Sequence, residues 1–369
     1  MQKVQITKFE DEIHPEFSES FLKLFKNLKN LKSFEITVNE YSNCDFLADF
    51  LAKQDKLEHL TADGNLGDFT LLEAILTENI IENSKFNLKS LTVNVGKDYN
   101  EKFSRFLMKH SESIEELAIN FQDMNFHYFR LILNHFHNIR KLTICIGSLL
   151  NDARVEEIRH IKMLSVKELK LVSYGSICKV LFDIFPNVEV LTTEAFEPSM
   201  RIALEKLPKL RKLHSSSNHT IIQFLGFAKS ESLTELILEN VSPIMAPIFV
   251  EQLAEDLPNL EKLVIKNLDL GKLLITVQED VKIILESLKL FKKLKSFELV
   301  NSESRRIHAN PDGEFEEIED DEGQETASFR LVIKTEDGQK TIEASGFFIQ
   351  FQPEVLEQLK KDLKIVKMV

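Results

Sequence analysis

A six-residue pattern, apolar-x-x-apolar-x-apolar, returns eleven times along the chain and constrains its fold more than any other feature. It reads LKSFEI from Leu31, LEHLTA from Leu57, LKSLTV from Leu88, IEELAI from Ile114, IRKLTI from Ile139 and VKELKL from Val166. It continues as VEVLTT from Val188, LRKLHS from Leu210, LTELIL from Leu233, LEKLVI from Leu260 and LKSFEL from Leu294. Successive copies begin 22 to 34 residues apart, so one unit holds only a short strand and one helix. The hexad has the period-two alternation of a strand whose fourth and sixth residues face one way. Between hexads, FSESFLKLFKNLK, CDFLADFLAKQ, NEKFSRFLMKH, FHYFRLILNHF, ICKVLFDIF, IIQFLGFAK and APIFVEQLAEDL place apolar residues at steps of three and four, the spacing of an amphipathic helix. A strand and a helix of this size cannot bury their own apolar faces, so neighbouring units must stack. The expected fold is α/β: a curved parallel sheet with helices on its outer side, built from about 11–13 repeats. The 28 phenylalanines fill the space between helices, since the chain has no tryptophan.

The pattern resembles the leucine-rich-repeat family, whose consensus continues to an Asn or Cys three residues after the sixth hexad position. Asn39, Asn65 and Asn218 occupy that place, whereas Asn240, Asn267 and Asn301 arrive one residue early. Gly96, Gln122, Gly147 and Tyr174 stand where other copies need an asparagine. The period and the helical second half look like the intracellular subfamilies, including the repeat portion of F-box receptors and the ribonuclease-inhibitor-like proteins. The resemblance covers roughly residues 28–301 and implies a right-handed solenoid, with strands lining the concave side. It also implies binding and not catalysis, although fold resemblance by itself does not assign a function.

The expected organisation is a solenoid over 1–301, with residues 1–27 as a degenerate first repeat around a Val4/Ile6 strand. Residues 302–328 break the pattern; ten acidic residues between Glu303 and Glu325, against Arg305 and Arg306, place −8 of the net −13 charge there. Such a stretch buries too little apolar surface to offset ordering and is expected to be a disordered loop. It could serve a basic partner or simply be solvated, and its shortness and internal position favour the solvated loop. After it, FRLVIKTEDGQKTIEASGFFIQF alternates around Asp337-Gly338 as a hairpin does, and the stretch from Pro353 to Lys364 reads as a helix. Together, 329–369 would close the open end of the repeats. No F-box fits ahead of the first repeat, which implies either that an adaptor function is absent or that the chain is a fragment.

The net charge of −13 argues against nonspecific nucleic-acid binding, which depends on basic residues displacing counterions. Cys44, Cys145 and Cys178 fall at no metal-ligand spacing, and their odd number speaks against a disulfide framework and for a reducing compartment. No run of apolar residues suits a leader or a membrane span, so a cytoplasmic or nuclear location is expected. In that setting the glycosylation-type triplets at Asn218 and Asn240 have no meaning.

The third, fifth and seventh hexad positions oppose the buried ones and form three columns on the concave face. Early copies offer small neutral groups there. From the sixth copy onward charges mix with β-branched residues, a composition suited to a protein contact. The expected partner-binding residues are Lys170, Val172, Thr192, Glu194, His214, Ser216, Ile237, Glu239, Val264 and Lys266. The same residues are also what strand propensity alone would select. His127, His135 and His137 cluster on one helix, but His135 and His137 point apart, so core-flanking surface histidines are favoured over a metal site. Cys145 has no evident base beside it and reads as an inert small residue and not a reactive thiol. No phosphate-cradling loop or hydrolase motif appears. Three readings follow: a non-catalytic scaffold binding a protein client; an F-box-like substrate receptor of a ubiquitin ligase, working with a Skp1-type adaptor; and, least favoured, an enzyme using Cys145 or the histidine cluster. None of them calls for a cofactor.

Overall fold

A computed structural model of the chain describes residues 3–7, 28, 30–37, 45–63, 65–66, 69–70, 76–95, 100–121, 126–146, 154, 157–173, 179–194, 197–216, 228–239, 246–266, 286–301, 307–309, 315–317, 329–336, 339–346 and 365–368. These residues fall into two compact units, Met1–Glu189 and Val190–Val369, each of which repeats strand and helix.

In the first unit the strands are β1 (Lys3–Thr7), β2 (Ser33–Thr37), β3 (His59–Asp63), the two-residue pair β4 (Asn65–Leu66) and β5 (Phe69–Thr70), β6 (Ser90–Val95), β7 (Glu116–Phe121), β8 (Lys141–Ile146) and β9 (Glu168–Ser173). The sheet runs β1-β2-β3-β6-β7-β8-β9, and each pairing in it is parallel. Helices α1 (Asp45–Leu51), α2 (Glu78–Asn83), α3 (Glu101–His110), α4 (Phe126–His135) and α5 (Lys179–Ile184) fall between strands, as parallel connections require. The short strand expected around Val4 and Ile6 is β1, paired in register with β2.

The second unit carries β10 (Val190–Thr193), α6 (Glu197–Lys206), β11 (Lys212–Ser216), β12 (Glu235–Glu239), α7 (Ala246–Asp256), β13 (Lys262–Lys266), a 3-10 turn (Leu288–Leu290) and β14 (Ser296–Asn301). Strands β10 to β14 pair in parallel. Then come β15 (Ile307–Ala309), β16 (Phe315–Glu317), β17 (Phe329–Glu336), β18 (Gln339–Gly346) and β19 (Ile365–Met368). β17 lies antiparallel to β14 and to β18, and β19 rejoins in parallel beside β18. Glu336 faces Gln339 at the end of the β17–β18 pair, and the turn expected at Asp337-Gly338 lies outside the described residues. Within the acidic stretch, where the sequence predicts a disordered loop, β15 and β16 pair antiparallel, with Ile307 opposite Glu317 and Ala309 opposite Phe315. Apolar Ile307 and Phe315 and β-branched or aromatic propensity at those points supply the strand character that the charge count hides. The helices expected over 17–29, 221–229 and 353–364 lie outside the described residues or on ones assigned no helix.

The hexad explains the core directly. First-position Leu57, Leu88, Ile114, Ile139, Val166, Val188, Leu210 and Leu233 are fully buried, as are the fourth- and sixth-position pairs Leu91/Val93, Leu142/Ile144 and Leu236/Leu238. Each such side chain contributes roughly 1.5–3 kcal/mol through removal of apolar surface from water. The sixth position is not always apolar: Thr193 and Ser215 are buried there too. A second regularity runs along the backbone. The second-position carbonyl of one copy accepts N–H bonds from the second and third residues of the next, as Lys32 does from Glu58 and His59, Glu58 from Lys89 and Ser90, and Thr234 from Glu261 and Lys262. This double acceptance fixes the register between hexads, since a one-residue slip would send the buried set to the open face.

Asparagine closes the turn into the strand, at the residue just before the hexad. Asn138 Nδ2 donates to Glu112 O at 2.7 Å, Asn187 to Leu164 O at 2.9 Å and Asn259 to Glu231 O at 2.7 Å. Asn30, at the same place ahead of Leu31, takes a positive φ of 65°, which asparagine tolerates better than most residues. Here is a repeating asparagine contact, though on the opposite side of the hexad from the one the family consensus uses.

Candidate functional site

On β11, β12 and β13 the open-side residues line up in three rows. Lys212, Glu235 and Lys262 form the first; His214, Ile237 and Val264 the middle; Ser216, Glu239 and Lys266 the last. Thr192 on β10 and Glu298 on β14 extend the middle row. The alternation that buries Leu213, Leu236, Leu238 and Leu263 sends these side chains to the opposite face.

Both outer rows are charge ladders. Glu235 Oε1 lies 2.7 Å from Lys262 Nζ and 3.2 Å from Lys212 Nζ. Glu239 Oε1 lies 2.7 Å from Lys266 Nζ and 3.2 Å from His214 Nε2, the latter poorly aligned for a hydrogen bond. Partial burial pushes the Glu235 carboxyl up, but the hydrogen bonds and charges of Lys262 and Lys212 outweigh it and hold the group below the usual carboxylate range. At Glu239, burial is likewise outweighed by Lys266 and His214. One strand further on, Glu298 accepts from Arg330 Nε at 2.8 Å. Glu235 is thus fixed between two lysines and Glu239 between Lys266 and the His214 ring, with Ile237 half-buried among them.

Of the sequence-predicted residues, Thr192, Glu194, His214, Ser216, Ile237, Glu239, Val264 and Lys266 belong to the second unit. Lys170 and Val172 belong to the first, on β9 beside Thr143 and Cys145 of β8; Lys170 is exposed and Val172 half-buried. Val264 corrects the expectation of an exposed β-branched residue: it is only 3% exposed. Its strand neighbours Lys262 and Lys266 both lean toward β12 to reach the glutamates, and Ile237 and Glu298 flank it in register. Alternation sets which face a residue takes, not whether its neighbours cover it.

The residues named for the catalytic alternatives lie on and just after α4 and on β8. His127, His135 and His137 are exposed and flank buried Tyr128, Phe129 and Phe136. Among the described residues no three His, Cys, Asp or Glu side chains converge as a metal site would require. Cys145 sits on β8 opposite Val172. A Lys109–Ser84 pair between α2 and α3 has the composition of a base and a nucleophile. However, the Lys109 ammonium spends its donors on Ile81 O, Ser84 O and Ser84 Oγ, at 3.0, 2.7 and 2.8 Å, and the Ser84 hydroxyl donates to Ile80 O. Lys109 therefore caps the C-terminal carbonyls of α2 and is no base. No helix among the described residues is long and apolar enough to cross a membrane.

No family model matches the chain, and no curated protein matches it either.

The charge ladders were hidden in the sequence because each partner lies 23 to 27 residues away. A signal was nevertheless present: aligning the hexads puts Lys212, Glu235 and Lys262 in one column with alternating sign. The second-position column also sets opposite signs on neighbouring copies, and Glu58 lies 3.3 Å from Lys89, Glu115 3.9 Å from Arg140, Glu189 3.1 Å from Lys167 and Glu261 2.9 Å from Lys295.

Proposed function

We propose that the chain is a leucine-rich-repeat type of protein-binding scaffold, and that the open strand face of its second unit is a contact surface for a protein partner. The carrying observation is half-buried Ile237 set between two ladders whose charges are held in place by neighbouring strands. Fixed charges of both signs around an apolar centre select a partner by complementarity and contribute more to specificity than to raw affinity. Thr192, His214, Ser216, Glu239 and Lys266 are the polar rim of that surface, and Val264 packs beside Ile237 in the same row. Lys170 and Val172 belong to the strand face of the first unit. The resemblance also suggests a ubiquitin-ligase receptor partnered by a Skp1-type adaptor, a reading that rests on the repeat alone.

The test replaces Thr192 and Ile237 together with Arg in the full chain and compares the proteins retained with wild type by quantitative mass spectrometry. Met108→Arg, on the helical side, is the control. The expected outcome is at least a roughly tenfold loss of specific partners for the strand-face variant and none for the control, the size that a central contact carries. An unchanged partner set in the strand-face variant rejects the surface.

A further inference from the structure

His110 ends α3 inside an aromatic box. Its ring stacks on Phe86, with centroids 5.4 Å apart and planes 11° apart, and meets Phe106 edge-on at 4.9 Å. Phe86 and Phe106 close the third side at 6.5 Å. The side chain is 2% exposed and its Nε2 has no hydrogen-bond partner, unusual for a buried polar atom. The same residue's carbonyl anchors the turn into the next hexad, accepting from Ser113 N, Ile114 N and Ser113 Oγ. Phe86 precedes β6, whereas Phe106 and His110 belong to the following helix, so the box joins two successive repeats.

From these contacts we propose that the Phe86–Phe106–His110 box is a pH-sensitive latch, closed when the imidazole is neutral and released by its protonation.

A proton on this ring places a charge among aromatic carbons with no acceptor to receive it. The charged groups on the elements packed around the box give no relief. Lys109, adjacent on α3, repels a second positive charge. On α2, Glu78 and Glu82 are both held by Arg105, at 3.0 and 2.9 Å. Beside Phe86 stand Lys85 and Lys89, the latter paired with Glu58. Glu112 and Glu115 follow in the turn, Glu115 within reach of Arg140, and α4 offers Arg130 and His135. Burial, reinforced by Lys109, pushes the imidazole down to about 4 from 6.5. A histidine in an opened box titrates near its ordinary value, so opening gains a proton as pH falls below 6.5, and the gain saturates near pH 4. Between about pH 8 and about pH 5 the ratio of open to closed box should rise roughly 30-fold.

Hydrogen exchange of the intact chain, corrected for the intrinsic rate at each pH, reads this ratio over residues 101–114. The expected result is a roughly 30-fold rise in opening of wild type across that range, with His110→Phe flat because the stack persists without a titrating group. Wild type that stays flat, or a phenylalanine variant with the same rise, overturns the proposal. Should the variant not fold, the ring proton resonance of His110 in wild type decides: a midpoint near 4 supports the latch, and one near 6.5 or above rejects it.

Discussion

Single residues tie successive repeats together in ways the hexad does not announce. Lys109 is one: it reaches back 25 residues or more to the last carbonyls of α2, and burial lowers its ammonium below the ordinary lysine range. Lys109→Met keeps the aliphatic stem and removes three charge-assisted bonds, so it should cost about 1–3 kcal/mol in chemical denaturation. Gln54 does the same work for the first described repeat: its Oε1 accepts from Leu31 N and its Nε2 donates to Leu28 O, while the residue is only 2% exposed. Val264 and Ile237 make a sharper comparison. They are neighbours in one row, yet only Val264 is covered. Val264→Asp should therefore destabilise by about 3 kcal/mol or more, through a carboxylate buried without a partner, and Ile237→Asp by roughly 1 kcal/mol or less. Thermal or urea unfolding of the two variants side by side distinguishes them. Equal losses would mean that Val264 is as open as its neighbour.

At the scale of elements, the ladders across β11, β12 and β13 make a prediction about acid. Glu235 and Glu239 titrate below their unfolded value of 4.5, so their contribution is present above that pH and fades as pH falls through the folded value. Replacing both with Gln should lower stability at neutral pH by roughly 0.5–1 kcal/mol each, discounted for solvent screening, and flatten the acid limb below pH 4.5. A pH–stability curve of the double variant that overlays wild type would show that the ladders are ornamental to stability. These elements also show how far sequence reaches. Strands β2 to β14 of the parallel array are legible because a buried strand face demands apolar residues at fixed steps, and α3, α4 and α7 because a helix on a core demands a stripe. Helix α2 escaped, since ENIIEN buries only Ile80 and Ile81 over six residues and leans on the Thr77 cap and Lys109. Helix α6 escaped because Pro198 opens it and Met200, Ala203 and Leu204 make a thin stripe. The candidate site was legible as a set of columns, but the pairing within them was not, because sign alternation becomes visible only once register is fixed.

For the whole molecule, the governing fact is that hexads meet their neighbours through strand register, backbone bonds that are mostly doubled and, at three of them, turn asparagines, all reaching one repeat away. A chain built this way distributes damage by distance along the repeats and not all at once, because its stability is a sum of unit and nearest-neighbour terms. Leu142 is a clean probe. It is fully buried at the fourth hexad position of β8, in register with Leu117 on β7 and Leu169 on β9. Leu142→Ala leaves a cavity that this close-packed layer only partly collapses, at a cost of about 2–5 kcal/mol. Hydrogen exchange resolved along the first unit should then show protection lost most on β7, β8 and β9, less on β6 and least on β2. The second unit serves as the internal reference, since its core is lined by its own residues such as Leu213, Leu236 and Leu263. If protection instead fell by one common factor from β2 to β9, the first unit would unfold as a single cooperative body, and nearest-neighbour coupling would have to be strong enough to override the local loss.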